Sequence, residues 1–191
     1  MNVIVKFSFM EEWKTHKLGE LADVTKLAGY EFTKYVHYIP DGDIIAMRAL
    51  NLRDGLLDLS DVQRISKAVS DSLERSKLYY DDIVLSYTGT IGACAIIKED
   101  GRFHLAPNVC KITSKAINAD FLYYIIRSHW FQRQLKGFCH GSTQPTIPMK
   151  TIRELSVPVP PIRIQERIND LLVPLDAKIR INNLINHNLA A

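Results

Sequence analysis

The chain has 191 residues, 47% of them hydrophobic and 24% charged, with a formal net charge of +3. That length holds one globular domain with a sizeable core plus an appendage. The ordinary hydrophobic and charged fractions exclude a disordered or fibrous chain, and no apolar run approaches the roughly 20 residues that cross a bilayer.

Residues 1–10 lack the succession of regions in a secretory signal, so a cytoplasmic location is expected. Cys94, Cys110 and Cys139 are widely spaced without a CxxC pair, and the six histidines form no HExxH. These patterns favour buried thiols in a reducing compartment, and no metal is expected.

Residues 2–9 alternate loosely as an edge strand. Residues 13–28 place Leu18, Leu21, Ala22, Val24 and Leu27 near helical spacing, with Gly29 as the stop. Residues 31–40 are aromatic and irregular, and Asp41-Gly42 marks a turn. Residues 43–50 read as a strand entering a loop that presents Arg48, Asn51 and Arg53 before Gly55. Arg and Asn carry the paired donors and acceptors that match guanine and adenine edges, and are also ordinary loop residues.

Ser70 or Asp71 caps a short helix that ends by Lys77. Residues 81–87 and 91–98 read as apolar strands joined by Thr88-Gly89-Thr90 in a hairpin-like turn. TGTIG lacks the Lys and the following helix of a phosphate loop, so its tip, Tyr87 to Thr90 and with it Thr88, is read as a turn able to approach DNA. Another strand starts at Asn108. Asn118 or Ala119 then precedes a helix over 120–136, with Asp120 at its positive end and Gly137 as its stop. Leu122, Ile125, Ile126 and Trp130 form its core stripe, and Arg127, Arg133 and Lys136 fall mostly on other faces.

Charge is unevenly divided. Residues 1–100 hold 12 basic and 16 acidic side chains (−4), residues 101–153 hold 8 basic against Asp120 alone (+7), and the remainder holds 4 of each. Such a block is either a polyanion footprint or a solvated basic face.

Residues 155–159 read as a short strand between prolines, and Pro160-Pro161 pre-set the last helix. Along that helix Ile168, Leu172, Leu175, Ile179, Asn182, Asn186 and Leu189 recur at steps of four and three, a coiled-coil seam whose two Asn fix register and partner number. The other reading is an amphipathic helix packed on its own domain. Pro174 predicts a kink or break near residues 170–174, at a cost of about 3 kcal/mol. Unbroken, residues 162–189 span roughly 42 Å.

The order GSTQPTI, a strand ending VPVPP, then IQERINDLLVPLDAKIRINN resembles the specificity subunit of type I restriction-modification systems. WKTHKLGELADV and DDIVLSYTGTIGACAII are also similar to that family, so the resemblance runs from Trp13 to Leu189. It implies an α+β fold: a target-recognition domain over residues 1–160 with a mixed, mostly antiparallel β-sheet and flanking helices, then a long C-terminal helix of coiled-coil type over 161–191. It also implies a non-catalytic reader of one half of a bipartite double-stranded DNA target. Its partners would be a restriction subunit and methyltransferase (modification) subunits, which carry their own S-adenosylmethionine; no cofactor is expected on this chain.

The complete family pattern has two recognition domains, each followed by such a helix, and this sequence holds one. It is then a half-subunit that pairs, as a homodimer or with a second half, or one half of a longer protein. The expected DNA-binding residues are Arg48, Asn51, Arg53, Tyr87, Thr88, Asn108, Arg127, Arg133, Lys136, His140, Ser142, Thr143 and Gln144.

An enzyme fits less well. The sequence has neither a Gly-rich cofactor loop after a strand nor an Asn-Pro-Pro-aromatic or Asp-Pro-Pro-aromatic motif, and Pro40-Asp41 finds its only distant nuclease partner in Asp176-Ala177-Lys178. A helix-mediated protein-interaction module without DNA readout explains the seam but not the basic block.

Overall fold

The structure is a computed structural model and describes residues 13–138 and 145–189. The edge strand expected over residues 2–9, and Cys139, His140, Ser142, Thr143 and Gln144, lie outside the described residues, as does the Leu189 side chain. In chain order the elements are β1 (Lys14–Lys17), α1 (Leu18–Leu21), β2 (Ala22–Lys26), α2 (Gly29–Tyr35), β3 (Ile44–Met47), β4 (Leu52–Arg53), β5 (Leu56–Leu57) and β6 (Gln63–Ile65). Then come α3 (Lys67–Ser72), β7 (Lys77–Leu78), β8 (Ile83–Ser86), β9 (Cys94–Ile96), β10 (Phe103–Leu105) and β11 (Val109–Ser114). The chain continues through α4 (Ala119–Arg127), α5 (His129–Gly137), α6 (Met149–Glu154), β12 (Ser156–Val159) and α7 (Ile162–Leu189).

Period-two alternation builds the centre. One four-stranded sheet has the order β2-β11-β8-β9, all antiparallel; the other has the order β6-β3-β10-β7, with only β3 and β10 parallel. The fold is therefore α+β with mixed, mostly antiparallel sheets. In the first sheet Ile83, Leu85, Cys94, Ile96, Cys110 and Ile112 pack with Leu122, Ile126, Phe131 and Leu135 of α4 and α5. The alternate residues Val84, Ala95 and Val109 pack with Ile45, Met47, Phe103 and Leu105 of the second sheet. β8 is buried along its whole length because both its faces are covered. Each such large side chain contributes roughly 1.5–3 kcal/mol by leaving water. β1 and β12 pair antiparallel, joining the start of the described chain to the segment before α7.

Several expectations are corrected. Of residues 13–28 only Leu18–Leu21 form the short helix expected there: β1 precedes it, and β2 pairs residue by residue with β11, a ladder that overrides the local helical spacing. Gly29, expected as a stop, instead starts α2, which runs into the segment 31–40 expected to be irregular. Ser66, not Ser70 or Asp71, caps α3, its hydroxyl accepting from the Val69 N–H. The expected helix over 120–136 is two helices, because Ser128 leaves the helical region at φ −60°, ψ 146° and caps α5 by accepting from the Phe131 N–H. The reset rotates α5, and Trp130, expected in the core, is 45% exposed. The strands β8 and β9 do pair as expected, but the loop between them covers residues 87–93.

α7 is continuous through Pro174, so the expected break is absent. Its first half is docked on its own domain. The buried Gln165 donates to the Pro160 carbonyl at 2.9 Å and accepts from the Asn118 N–H at 3.3 Å, and Asn169 donates to the Asn118 carboxamide oxygen at 2.7 Å. Ile168 and Leu172 are half-buried there, whereas Leu175, Ile179, Asn182 and Asn186 are exposed.

Candidate nucleic-acid interface

Asp54 and Gly55 both have positive φ, 52° and 82°. A two-residue type I′ turn requires this, and Asp-Gly supplies it, so Leu52 pairs with Leu57 and Arg53 with Leu56 in a short hairpin. The turn is bound from behind by α4. The Tyr123 hydroxyl donates to the Gly55 carbonyl at 2.6 Å, and Arg127 Nη2 donates to the Asp54 carbonyl at 3.2 Å. Arg127 Nη1 donates to the Tyr123 hydroxyl at 3.1 Å and to the Asp176 carboxylate of α7 at 2.9 Å. Burial pushes the Tyr123 phenol up, which keeps it a donor. The φ of 82° favours glycine at position 55, and a Cβ there would lie 2.4 Å from Arg127 Cζ, so the guanidinium would have to move.

Between this hairpin, the β8–β9 loop and α5 lies an open cleft of ≈ 560 Å³, with Leu50, Arg53, Thr90, Gln132 and Lys136 on its walls. Gln132 pins the loop to α5, donating to the Gly92 carbonyl at 3.0 Å and to the Ile126 carbonyl at 2.9 Å. The other end of the loop is tied to the chain after residue 144. Thr88 and Thr146 form an isolated bridge, and the Ile147 N–H donates to the Tyr87 carbonyl at 2.9 Å. The Tyr87 N–H donates to the carbonyl of Asn108, which is exposed with φ 72°. The Lys26 ammonium lies 5.7 Å from the Tyr87 ring centroid.

The residues expected together on one loop are separated by what they bind. Arg48 donates to the Asp61 carbonyl at 2.8 Å and pairs with its carboxylate at 3.2 Å. Asn51 is 2% exposed; its amide accepts from the Arg48 N–H and donates to the Asp58 and Asp61 carbonyls, which leaves it no edge for a base. Arg53 projects at the cleft with its side chain 71% exposed and Asp58 at 3.3 Å. Tyr87 is half-buried and Thr88 is buried. Arg133 and Lys136 are exposed on α5.

The basic block is largely matched in space. Arg102 pairs with Glu99, Lys111 with Asp82, Lys115 with Asp23 and Arg127 with Asp176, and Arg153 donates to the Val24 carbonyl. Arg133 and Lys136 make no ion pair among the described residues.

Lys26, Tyr123 and Gln132 were not singled out by sequence, whereas Thr90 belongs to the turn expected to approach DNA. Asp54-Gly55 between apolar pairs was a readable hairpin signal, but nothing local marks Lys26, Tyr123 or Gln132. Among the described residues no three His, Cys, Asp or Glu are grouped to hold a metal, and no helix is long and apolar enough to cross a membrane. Burial pushes the Cys94 and Cys110 thiols up to about 12, which leaves them unreactive as nucleophiles.

Comparison with known proteins gives one family. A family model described as the type I restriction modification DNA specificity domain matches residues 10–191. The specificity subunit of the type I restriction enzyme EcoBI from Escherichia coli is 28% identical over 199 residues, covering 97% of this chain and 42% of the relative. That of HindI from Haemophilus influenzae is 22% identical, covering 94% of this chain and 39% of the relative. In fold, the S subunit of a type I restriction-modification system from M. genitalium is similar at a TM-score of 0.63 and 16% identity, covering 97% of this chain and 43% of that one. The chain thus spans less than half the length of the relatives it matches.

Proposed function

Since the chain belongs to the type I restriction modification DNA specificity family, we propose that it is a non-catalytic reader of double-stranded DNA that recognises one half of a bipartite target. The observation that carries this reading is the cleft at which Arg53, the β8–β9 loop and Lys136 of α5 converge, with Arg133 exposed on the same helix. Arg133 and Lys136, which make no ion pair among the described residues, supply the sequence-independent affinity for phosphates. A hairpin and a loop at groove height supply the surface on which bases are read. Tyr87 and Asn108 border the same loop, and we assign them to this face together with His140, Ser142, Thr143 and Gln144, which the family resemblance puts among the DNA-binding residues. Arg48 and Asn51 act one step behind it, by shaping the loop that carries Arg53.

In this reading residues 1–160 form the recognition domain and residues 161–191 the spacer and docking helix. The partners are a restriction subunit and methyltransferase subunits, and any S-adenosylmethionine belongs to the latter. Leu175 and Ile179, 55% and 51% exposed, leave an apolar face on α7 that favours pairing in a coiled coil with a second copy or a second half-subunit. A homodimer about a two-fold axis would select a palindromic target. The cytoplasm, where such DNA is met, is the proposed location.

The same apolar face supports a second reading, a helix-mediated interaction module without DNA readout. Selection from randomised duplexes at moderate salt separates the two. A retained bipartite palindrome is the outcome expected of the paired reader, and one short asymmetric element that of a single working half. If nothing is enriched, either alone or with a methyltransferase subunit present, the DNA-reading proposal fails.

A further inference from the structure

Three elements meet at one side chain. Arg127, in the last turn of α4, reaches the Asp176 carboxylate on α7 and the Asp54 carbonyl in the β4–β5 turn, at 2.9 and 3.2 Å. Its Cζ lies 5.2 Å from the Tyr123 ring centroid, and the Tyr123 hydroxyl holds the next carbonyl of the turn, that of Gly55. The planar guanidinium suits this task because its donors diverge from one rigid plane, which a single ammonium cannot reproduce. With Asp176 matching its charge, Arg127 is poorly placed to serve as a free phosphate contact.

The position of Asp176 adds a second consideration. It lies two residues beyond Pro174, whose missing N–H leaves the Asp170 carbonyl without its helical donor. A helix bends most readily where its hydrogen-bond ladder is broken. The anchor of the hairpin on α7 therefore sits at the part of the helix best able to shift.

We infer that Arg127 is a positioning residue for base reading, holding the β4–β5 hairpin in register with α7 so that displacement of the helix near Pro174 moves the hairpin and the Arg53 it carries. Arg53 follows because it is the strand residue immediately before the turn, paired with Leu56 across it. This inference rests on the reading of the cleft as a DNA face.

The test uses the full chain as wild type, Arg127→Gln, Arg127→Lys and Asp176→Asn. Amide hydrogen exchange and binding to the selected and a scrambled duplex are measured for each across a salt series. Loss of the Arg127–Asp176 link should speed exchange over residues 52–57 by about tenfold while β8 and β11 exchange as before. The preference for the selected duplex should fall by about tenfold with the salt slope unchanged. Arg127→Lys should keep the slope without restoring the preference.

Three results overturn the inference: unchanged hairpin exchange in Asp176→Asn, equally faster exchange everywhere in Arg127→Gln, or a slope reduced by about one charge in Arg127→Gln and restored in Arg127→Lys. If the wild-type chain prefers no duplex, the DNA reading itself fails, and the exchange measurements still decide whether helix and hairpin are coupled.

Discussion

Replacing Gly55 by Ala perturbs the hairpin at one atom, and the structure separates the consequences. At φ 82° any residue with a Cβ is strained, which costs about 1–2 kcal/mol. The new methyl would also stand 2.4 Å from Arg127 Cζ and 2.7 Å from the Tyr123 hydroxyl. Both side chains must withdraw from the turn, and each hydrogen bond lost there costs about 0.5–1.5 kcal/mol. The sum is about 2–5 kcal/mol. Gly89 provides the control, because its φ is 74° but nothing lies within 4 Å of the point where its methyl would stand, so Gly89→Ala carries only the first cost. Urea unfolding followed by circular dichroism should show a common m-value, with the Gly55→Ala midpoint displaced further toward low urea by the equivalent of about 1–3 kcal/mol. Equal losses at the two glycines would refute the contact between turn and α4.

Three further outcomes are expected. Lys136→Ala and Arg133→Ala should weaken binding to every duplex alike and lower the salt slope by about one charge each, read from affinity titrations in increasing salt. His104 is fully buried, and that burial holds its imidazole below the ordinary histidine value, helped by Lys111 and Lys77 and opposed by the Leu105 and Leu73 carbonyls. The unfolded chain then binds more protons from the ordinary value of about 6.5 down to the folded one, so the His104 contribution is complete above about pH 6.5 and is lost as pH falls through that window. Urea midpoints across that range, with His104→Gln removing the slope, check it. Leu175→Asp with Ile179→Asp should abolish self-association in sedimentation while the melting temperature stays within about 2 °C, because both side chains face solvent in the single chain.

Sequence made the alternating strands legible wherever both faces of a sheet are covered. Ile83, Val84 and Leu85 form a continuous apolar run because they serve two cores, and β12, with Pro158 inside it and Pro160 after it, is confined to pairing with β1 alone. The segment around β1, α1 and β2 was illegible because its apolar spacing suits a helix, and only the ladder with β11 decides otherwise. Ser128 was readable in principle as a capping residue, yet the apolar spacing on either side conceals the break. At the interface, residue type was a poor guide to availability: Asn51 has the chemistry of an adenine reader and spends it on three backbone groups of its own loop. Part of the +7 block is neutralised in a way that the linear charge count does not show. Its partners Asp82 and Asp23 lie in the acidic first hundred residues, and folding brings them to Lys111 and Lys115.

The terminal helix has a docked face and an exposed apolar one that a single heptad pattern cannot distinguish. Gln165, Asn169, Leu172 and Asp176 follow one another by steps of four, three and four and face the domain, through Asn118 and Arg127. That is the same spacing as the predicted seam, so the early seam residues Ile168 and Leu172 are partly consumed within the chain. Leu171, 70% exposed, and Leu175, 55% exposed, occupy a different face, as do Ile181 and Ile185 further along. At 100° per residue the centre of that outer stripe lies more than a quarter-turn from the docked one. A partner helix laid along it would leave the Gln165, Asn169 and Asp176 contacts intact. Under the proposed pairing, a second copy can therefore add to α7 without competing with its own domain, and the spacing between two recognition surfaces is then set by where each helix docks on its domain.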